Sequence, residues 1–340
     1  MTAVERVMAA FTGEESDRPP FTLTLSLYGA RLTGVPLYRH YTDAALYADG
    51  QARVADLVAP DIIFAPFALA REAEAFGAEL AYHPDGPPTV RTHPFRTPRD
   101  AASLSLPSVD ASPGLAYLRE SIRRLGDHFG GRVPLAGVLT APADLPGMLM
   151  GLEGWLETLL FEPDLADAIL AVTAEHFVAL AGELAAAGAS CIAIPLMLAN
   201  PRLVTPAVIS RSIVPPLGRA FARSPLPIIL HHGGNPAIPF LPVVKDLPNV
   251  AGFVIGPSDS FGEARAIVGE GRLLLGNLNG PVLNRLTPGQ ARKRTEDILG
   301  TRRGDRHFIL ASSSADLPLD TPPEVLLAIR NAVVGEGGGP

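Results

Sequence analysis

The sequence at 227–235 reads Pro-Ile-Ile-Leu-His-His-Gly-Gly-Asn, so two histidines and a glycine turn follow directly after a short apolar run. An apolar run of this length that stops at glycines indicates a buried strand ending in a tight turn. In an α/β barrel, side chains at the carboxyl ends of the strands meet at the mouth, where catalytic residues are found. His231 and His232 are therefore the first candidates for a functional site.

The rest of the chain repeats this pattern. Short apolar runs alternate with longer segments of helical period, which is typical of parallel βα units. Eight runs and eight helical segments predict a closed (β/α)8 TIM barrel. An open doubly wound sheet is the alternative, but no Gly-x-Gly-x-x-Gly turn follows the first strand. The predicted strands are Phe21–Leu27, Asp61–Pro66, Val133–Leu139, Cys191–Leu196, Pro227–His231, Val250–Ile255, Arg272–Asn277 and His307–Ser312. The predicted helices are Asp43–Val58, Pro113–Phe129, Asp164–Ala187, Pro206–Arg223, Pro236–Lys245, Phe261–Gly269, Pro288–Leu299 and Pro322–Val333.

Two stretches interrupt this repeat. Residues Ala78–Arg96 hold two alternating segments around a proline-glycine turn, which predicts a β-hairpin inserted after the second strand. The proline-rich segment Thr140–Leu160 predicts short helices beside the mouth. We expect residues 1–334 to form one barrel domain and Gly335–Pro340 to be a flexible tail.

Composition narrows the classes of function. The chain has 340 residues, of which 47% are hydrophobic and 19% charged, so it can bury a large core. Its net charge of −7 argues against nucleic acids and membrane surfaces as partners. Both carry phosphate groups, and the chain has no cluster of basic residues to neutralise them. The charged N-terminus and the lack of an uninterrupted apolar stretch of about 20 residues lead us to expect a cytoplasmic protein. The single cysteine, Cys191, excludes an internal disulfide and a cysteine-rich zinc site.

The whole chain resembles the uroporphyrinogen decarboxylase superfamily, and within it the branch that moves methyl groups between corrinoids and small molecules. The resemblance is carried by the first helix and the entry to the first strand, by a segment after the second strand, by the end of the seventh strand and by the approach to the last helix. These stretches are Glu5–Phe11, Asp17–Pro20, Phe67–Gly77, Gly276–Asn279 and Asp320–Glu324.

The decarboxylase itself is a poor match. Its arginine-rich N-terminal segment, which holds the acidic side chains of the substrate, is replaced by Leu25–Arg31, where Arg31 is the only basic residue. A substrate with many carboxylates needs several cationic partners. The resemblance therefore implies transfer of a methyl group between a corrinoid such as methylcobalamin, free or on a partner protein, and a small molecule.

The resemblance also implies a zinc site that this chain has lost. Thiol-methylating members hold zinc through a His-x-Cys pair after strand five and a second cysteine after strand eight, and the metal produces the reactive thiolate. Here His231 matches the histidine, but Gly233 and Ala315 stand where the cysteines belong.

Three interpretations of the histidines stay open. His231 and His232 bind a zinc or iron ion together with Asp316, provided that the strand has ended before them. Alternatively, His231 is a metal-free acid, base or hydrogen-bond donor to the substrate. The third interpretation is a structural histidine at the barrel rim. In the first two, His231 and Asp316 are the catalytic candidates, and His232 is a candidate for substrate binding.

Other residues near the predicted mouth are candidates for substrate binding, each with a structural alternative. Asn277 and Asn279 either hold a substrate carbonyl or cap the next loop. Ser313 and Ser314 either form an anion pocket or belong to a polar loop. Tyr28 and Met197 either line the pocket or belong to the core. Glu72 and Glu74, beyond strand two, are expected on a solvated helix face.

We therefore predict a methyltransferase with a small-molecule substrate and a corrinoid or corrinoid-protein partner. Two alternatives remain. One is a lyase or hydrolase of the same superfamily that acts without a corrinoid, because one fold hosts many reactions. The other is a non-catalytic barrel that binds a small ligand. The sequence does not indicate an oligomeric state.

Overall fold

The computed structural model describes residues 1–335, without the side chains of residues 102 and 103. Of the tail predicted at Gly335–Pro340, residues 336–340 lie outside the described residues.

Eight parallel strands form one sheet in the order β1-β10-β9-β8-β7-β6-β5-β2. The two end strands meet, because the N–H of Asp61 donates to the carbonyl of Phe21 at 2.8 Å and the hydroxyl of Thr22 donates to the carbonyl of Ile62 at 2.9 Å. The predicted (β/α)8 barrel is confirmed. The strands are β1 (Phe21–Thr22), β2 (Ile63–Phe64), β3 (Glu79–Ala81), β4 (Thr89–Thr92), β5 (Leu135–Val138), β6 (Cys191–Pro195), β7 (Ile228–His231), β8 (Val250–Val254), β9 (Leu273–Asn279) and β10 (Phe308–Ser313).

Strand β1 is much shorter than the predicted Phe21–Leu27. Beyond Thr22 its N–H groups bind side chains instead of a neighbouring carbonyl. The N–H of Thr24 donates to the Ser312 hydroxyl at 2.8 Å, and the N–H of Ser26 donates to the Asp316 carboxylate at 2.9 Å. These backbone N–H groups have side-chain acceptors and do not need the hydrogen bonds of a neighbouring strand, so the strand ends early.

The helices surround the sheet. They are α1 (Ala3–Thr12), α2 (Tyr28–Thr33), α3 (Leu37–His40), α4 (Ala44–Val58), α5 (Ala70–Ala75), α6 (Pro113–Phe129), α7 (Leu145–Met150), α8 (Leu152–Phe161), α9 (Pro163–Ala186), α10 (Pro206–Val208), α11 (Val214–Phe221), α12 (Leu241–Val244), α13 (Phe261–Val268), α14 (Pro288–Thr301) and α15 (Pro323–Val334). Three further turns are 3-10 or π-helical, at Asp100–Ser103, Ile209–Ile213 and Gly280–Arg285.

Prolines explain two departures from the predicted helices. The segment predicted as one helix at 206–223 contains a π-helical turn before Pro215 and Pro216, which have no N–H to continue the α-helical pattern. The helix predicted at 236–245 shrinks to α12, because Pro239 has no N–H to continue a helix that began at 236. Pro242 lies in the first turn of α12, where a proline is tolerated.

Helix α9 has the length and composition of a membrane-crossing helix, with 24 residues and a mean hydropathy of 1.5 in its most apolar window. Its buried residues include Ile169, Phe177 and Leu184, which pack in the main hydrophobic core.

Both predicted interruptions are present. Strands β3 and β4 pair antiparallel as the inserted hairpin, and α7 and α8 fill the segment after β5. The guanidinium of Arg71 on α5 donates to the hydroxyl of Tyr82 at 2.8 Å, which ties the hairpin to the barrel.

The barrel has an apolar interior and two distinct ends. Alternate strand residues point inward and form one cluster that includes Ile229, Leu275 and Ala311, together with Val7 and Ala10 of α1. Helix α1 therefore closes the amino-terminal base of the barrel. The carboxyl ends of the strands form the opposite end, the mouth.

Candidate active site

Three strands carry predicted site residues into the barrel. Ile229, Leu275 and Ala311 face the interior, and side chains alternate along a strand. His231, Asn277 and Ser313, each two residues further along, therefore point inward at the mouth. The structure brings these three predicted residues to the same end of the barrel.

His231 has a fixed role as a hydrogen-bond donor. The N–H of Gly233 donates to its Nδ1 at 2.8 Å. Burial, with a smaller contribution from His232, lowers the pKa of His231 to about 4, so the ring is neutral at pH 7. A neutral imidazole has one proton, and because Nδ1 accepts, that proton is on Nε2. Nε2 makes no hydrogen bond to a described residue and is free to donate to a ligand.

His232 lies on the other side of the sheet. It follows the outward-facing Leu230 by two residues and is only 2% exposed. Neither ring nitrogen has a hydrogen-bond partner, and burial lowers the pKa to about 4, although the Val254 backbone opposes part of this effect. The predicted contact of His232 with substrate, and its joint metal binding with His231, are not supported by this placement.

The residues at the mouth do not fit the zinc implied by the family resemblance. Within residues 1–335, no group of three or more histidine, cysteine, aspartate or glutamate side chains is placed to hold a metal ion. Gly233 has a φ of +55°, which disfavours a cysteine at that position. Ligation through Nε2 of His231 would also require removal of the proton that the Gly233 contact keeps there, because a metal binds the lone pair of a deprotonated ring nitrogen.

Asp316 joins the end of β10 to the segment after β1. Its Oδ1 accepts the N–H of Ser26 at 2.9 Å, while Oδ2 is buried without a partner. Burial raises the pKa of this carboxyl well above its usual range, and three backbone N–H groups oppose the shift. The buried carboxyl group therefore holds a proton more readily than an exposed aspartate does, and its protonated form can donate a hydrogen bond.

The two asparagines of β9 differ. The amide nitrogen of Asn277 donates to the carbonyls of Gly256 and Asp259 at 3.1 and 3.4 Å. This geometry favours the loop-capping interpretation for Asn277. Asn279, two residues nearer the mouth, is partly exposed and its side chain bonds to no described residue. Its amide is free for a ligand.

The glycine turn after β7 lies between two other predicted residues. A Cβ on Gly233 would be 3.5 Å from Cγ of Met197, and a Cβ on Gly234 would be 3.4 Å from Cβ of Ser314. Met197 and Ser314 therefore border the loop that carries His231. Ser313 is buried and donates to the carbonyl of Leu278 at 3.3 Å.

Tyr28 is separate from these residues. Its ring is fully buried, its hydroxyl donates to the carbonyl of Thr321 at 2.7 Å, and the Arg31 guanidinium lies 5.5 Å from the ring centre. Because the phenol is already bonded, the predicted ligand contact of Tyr28 is not supported.

Two acids that support the mouth were not singled out by the sequence: Asp144, which is buried, and Asp259, which is partly exposed. Asp144 accepts the N–H groups of Met197 and Leu198, at 2.7 and 2.9 Å. Asp259 accepts those of Ala237 and Gly256, at 2.7 and 3.1 Å. Each follows soon after a predicted strand, which is the one sequence signal that points to it.

Glu72 is buried, so its expected place on a solvated helix face is wrong. It accepts the N–H and hydroxyl of Thr140 at 2.6 and 2.7 Å, and lies 3.2 Å from Nε2 of His176. This carboxylate connects α5 and α9 to the end of β5.

A cleft of about 760 Å³ lies on the mouth side of the barrel. Asp85, in the turn of the inserted hairpin, forms one wall, and the opposite wall comes from the loops after β1, β9 and β10. The residues of that wall are Arg31, Asn284, Pro318, Leu319 and Asp320. The hairpin thus borders the approach to the mouth.

Comparisons with known proteins agree with this architecture. The family profile described as uroporphyrinogen decarboxylase (URO-D) matches residues 2–335. Methylcobamide:CoM methyltransferase MtaA of Methanosarcina barkeri is 23% identical over 295 residues, which is 85% of each chain. A methylated-thiol–coenzyme M methyltransferase of Methanosarcina mazei is 24% identical, over 89% of this chain and 84% of its own.

The solved structure of a methyltransferase from Methanosarcina mazei superimposes with a TM-score of 0.87 and 22% identity, over 98% of both chains. The fold of this chain is that of the methyltransferase barrel. Together with the profile match over nearly its full length, this shows that the chain belongs to the uroporphyrinogen decarboxylase family, whose members are enzymes.

Proposed function

We propose that this chain transfers a methyl group between a corrinoid co-substrate and a small molecule held at the barrel mouth, without zinc. Two relatives that align over most of the chain are named as corrinoid or thiol methyltransferases. The observation that carries the zinc-free part is the contact from the Gly233 N–H to Nδ1 of His231. It makes His231 a hydrogen-bond donor at the position where the family resemblance implies a metal ligand.

The donor role favours one direction of transfer. Nε2–H of His231 has no capacity to accept a proton, because the other ring nitrogen is already bonded. A donor stabilises an atom that gains negative charge. That atom is the leaving oxygen, nitrogen or sulfur when a methylated small molecule gives its methyl group to a reduced corrinoid. The reduced cobalt of the co-substrate would supply the electron pair of the new cobalt–carbon bond while the C–X bond breaks and its electron pair stays on X. Nε2–H of His231 then donates a hydrogen bond to the negatively charged X.

Neighbouring residues complete this arrangement. The free amide of Asn279 orients the small molecule, and Asp316 holds the segment after β1 at the rim by accepting the Ser26 N–H. Met197, beside Gly233, contributes apolar surface that excludes water from the reacting atoms.

The test is a corrinoid assay in both directions. Purified chain is mixed with methylcobalamin and a panel of thiols and amines, and separately with reduced cobalamin and a panel of methyl ethers, methyl thioethers and methylated amines. Absorbance follows the methylation state of the corrinoid. We expect turnover to persist when a chelator removes free metal ions. Turnover should be faster when methylated donors react with reduced cobalamin than when methylcobalamin reacts with thiols or amines. Turnover on neither panel, or activity that requires zinc, would contradict the proposal.

Variants of His231 identify the donor. His231→Leu should lower kcat/KM by about 100-fold, the usual effect of removing one positioned donor. His231→Gln keeps an N–H near the position of Nε2 and should retain much of the activity. His128→Ala is the matched control, because His128 is exposed on α6. Equal activity of all three variants would exclude His231 from the reaction.

Two results would favour a different function. Conversion of a carboxylated substrate without corrinoid would support the lyase alternative. Tight binding of a small molecule with no turnover on either panel would support a non-catalytic barrel.

A further inference from the structure

A second cavity lies at the base of the barrel, opposite the mouth. It has a volume of about 370 Å³ and lies between α1 and the amino-terminal ends of the strands. Val7 and Phe11 of α1 form one side, and Ile229, Leu275 and Ile309 of the strands form the other. None of the described residues that line it is charged.

Small side chains at the base explain why this space is not filled. The interior of an α/β barrel is normally packed by layers of large branched side chains. Here the inward positions of the adjacent strands β5 and β6 hold Ala136 and Cys191. For comparison, an apolar cavity of about 150 Å³ is enough to bind benzene.

Helix α1 covers this cavity as a fixed wall. Arg6 of α1 and Arg18 both bind the carboxylate of Asp61, at 3.1 and 2.6 Å, and Asp61 is only 2% exposed. This ion cluster connects the helix and the segment after it to the start of β2. Helix α1 is therefore held in place over the base of the barrel.

One side of the cavity is open to solvent. Its lining includes Gly131 and Gly188, in the loops before β5 and β6, and Met8, which is 54% exposed. The glycines place no side chain in this gap. A small molecule can enter there.

We propose that this cavity is a binding site for a small, uncharged, apolar molecule, such as a substituted benzene or a short-chain alcohol. A charged ligand would lose its hydration without gaining a partner, because the lining offers no charged group. An empty apolar cavity loses the contacts that a close-packed interior makes. An apolar occupant restores those contacts. This site is independent of the methyl-transfer proposal.

The experiment uses the full chain and four probes. Toluene and hexan-1-ol are the uncharged probes, and benzoate and hexanoate are charged analogues of similar shape. Saturation-transfer NMR measures binding, and thermal unfolding measures stabilisation. We expect the uncharged probes to bind and to raise Tm by about 4 °C at a hundredfold excess over Kd. The charged analogues should do neither.

Two substitutions fill the cavity from opposite sides. Cys191→Leu on β6 and Val7→Phe on α1 should each weaken binding of toluene about tenfold or more, because a close-packed side chain takes the space. Each should unfold at the same temperature as the unliganded wild type or higher, so loss of binding is separable from loss of fold. Phe161→Ser is the control, because Phe161 is 76% exposed outside the cavity, and it should bind toluene normally.

Three results would overturn this proposal. One is equal binding of toluene and benzoate. Another is unchanged toluene binding in both filled variants. The third is no binding of either uncharged probe to the folded wild-type chain.

Discussion

The carboxylate of Asp144 accepts the backbone N–H of Met197 at 2.7 Å and so joins the loop after β5 to the loop after β6. Its second oxygen accepts the N–H of Leu198 at 2.9 Å. Burial raises the pKa of Asp144 from 3.8 to about 7, and the two N–H bonds oppose this shift. A group that supports the site loop therefore changes its charge near neutral pH.

Asp144→Asn should reveal this titration in the stability of the protein. Between pH 3.8 and about 7 the folded chain holds a proton that the unfolded chain has released. The stability from this group is full below that range and is lost as pH rises through it, by up to about 4 kcal/mol. Asparagine does not titrate, but its NH2 group replaces one acceptor, which costs about 1–3 kcal/mol.

We therefore expect the wild type to exceed Asp144→Asn in stability at pH 5, and this advantage to shrink by pH 8. Urea unfolding at both pH values measures it. Asp49→Asn, at an exposed position, should match the wild type throughout. A stability difference between wild type and Asp144→Asn that stays constant with pH would show that Asp144 does not titrate in this range.

Periodicity predicts most of the barrel because it depends on local pattern. The run that ends in His231 must be buried on both faces, and alternation then fixes which neighbours point inward. The end of β1 is not local. Its N–H groups bind Ser312 and Asp316, which are 288 and 290 residues further along the chain. No pattern near Phe21 contains that information.

The site was predictable to a similar extent. Alternation along β7 and β9 correctly places His231 and Asn277 at the mouth, and it also separates His232 from His231 once the strand continues to His231. The bond from Gly233 to Nδ1 depends on the conformation of the turn, and the pairing of Asp144 with Met197 depends on two loops 53 residues apart. Residue type alone does not reveal either contact.

His232→Leu should remove a group that destabilises the folded chain at low pH, without loss of activity. The pKa of His232 falls from 6.5 to about 4 on folding, so the unfolded chain takes up its proton first as the pH drops. The stability from this group is full above pH 6.5 and is lost towards pH 4. Relative to wild type, the variant should gain about 2 kcal/mol between pH 7 and pH 5.

At pH 7 the leucine variant should be as stable as wild type or more so, because it removes a buried polar ring without a partner. Urea unfolding at the two pH values is the measurement, with His128→Leu as the exposed control. The methyl-transfer rate should stay near that of wild type. A large loss of that rate in a folded His232→Leu protein would return this residue to the active site.

Asn277→Ala and Asn279→Ala should separate structure from substrate binding. Asn277→Ala leaves the carbonyls of Gly256 and Asp259 without their donor, and should cost about 1–3 kcal/mol in urea unfolding. Asn279→Ala breaks no bond within the described chain and should change stability by less than about 0.5 kcal/mol.

The order of the two substitutions should be reversed in the kinetic assay, where Asn279→Ala should have the larger effect. Asn279→Ala should lower kcat/KM about five- to tenfold, as expected for one lost hydrogen bond. If Asn279→Ala is destabilised and fully active, the amide has a structural role, and the assignment of the two asparagines is reversed.

Gly276 is required by its surroundings, and its replacement should damage β9. Its φ is +131°, and a Cβ there would be 2.6 Å from the carbonyl oxygen of Ile255. Gly276→Ala should therefore destabilise the protein by about 3 kcal/mol in urea unfolding. Gly289→Ala is the control, because Gly289 lies in the first turn of α14 with no atom near a Cβ; it should leave stability unchanged or raise it by about 0.5–1 kcal/mol. Equal stability of the two variants would mean that the backbone at Ile255 moves away from position 276 at little cost in free energy. The close approach of the two strands would then not be what holds Asn277 at the mouth.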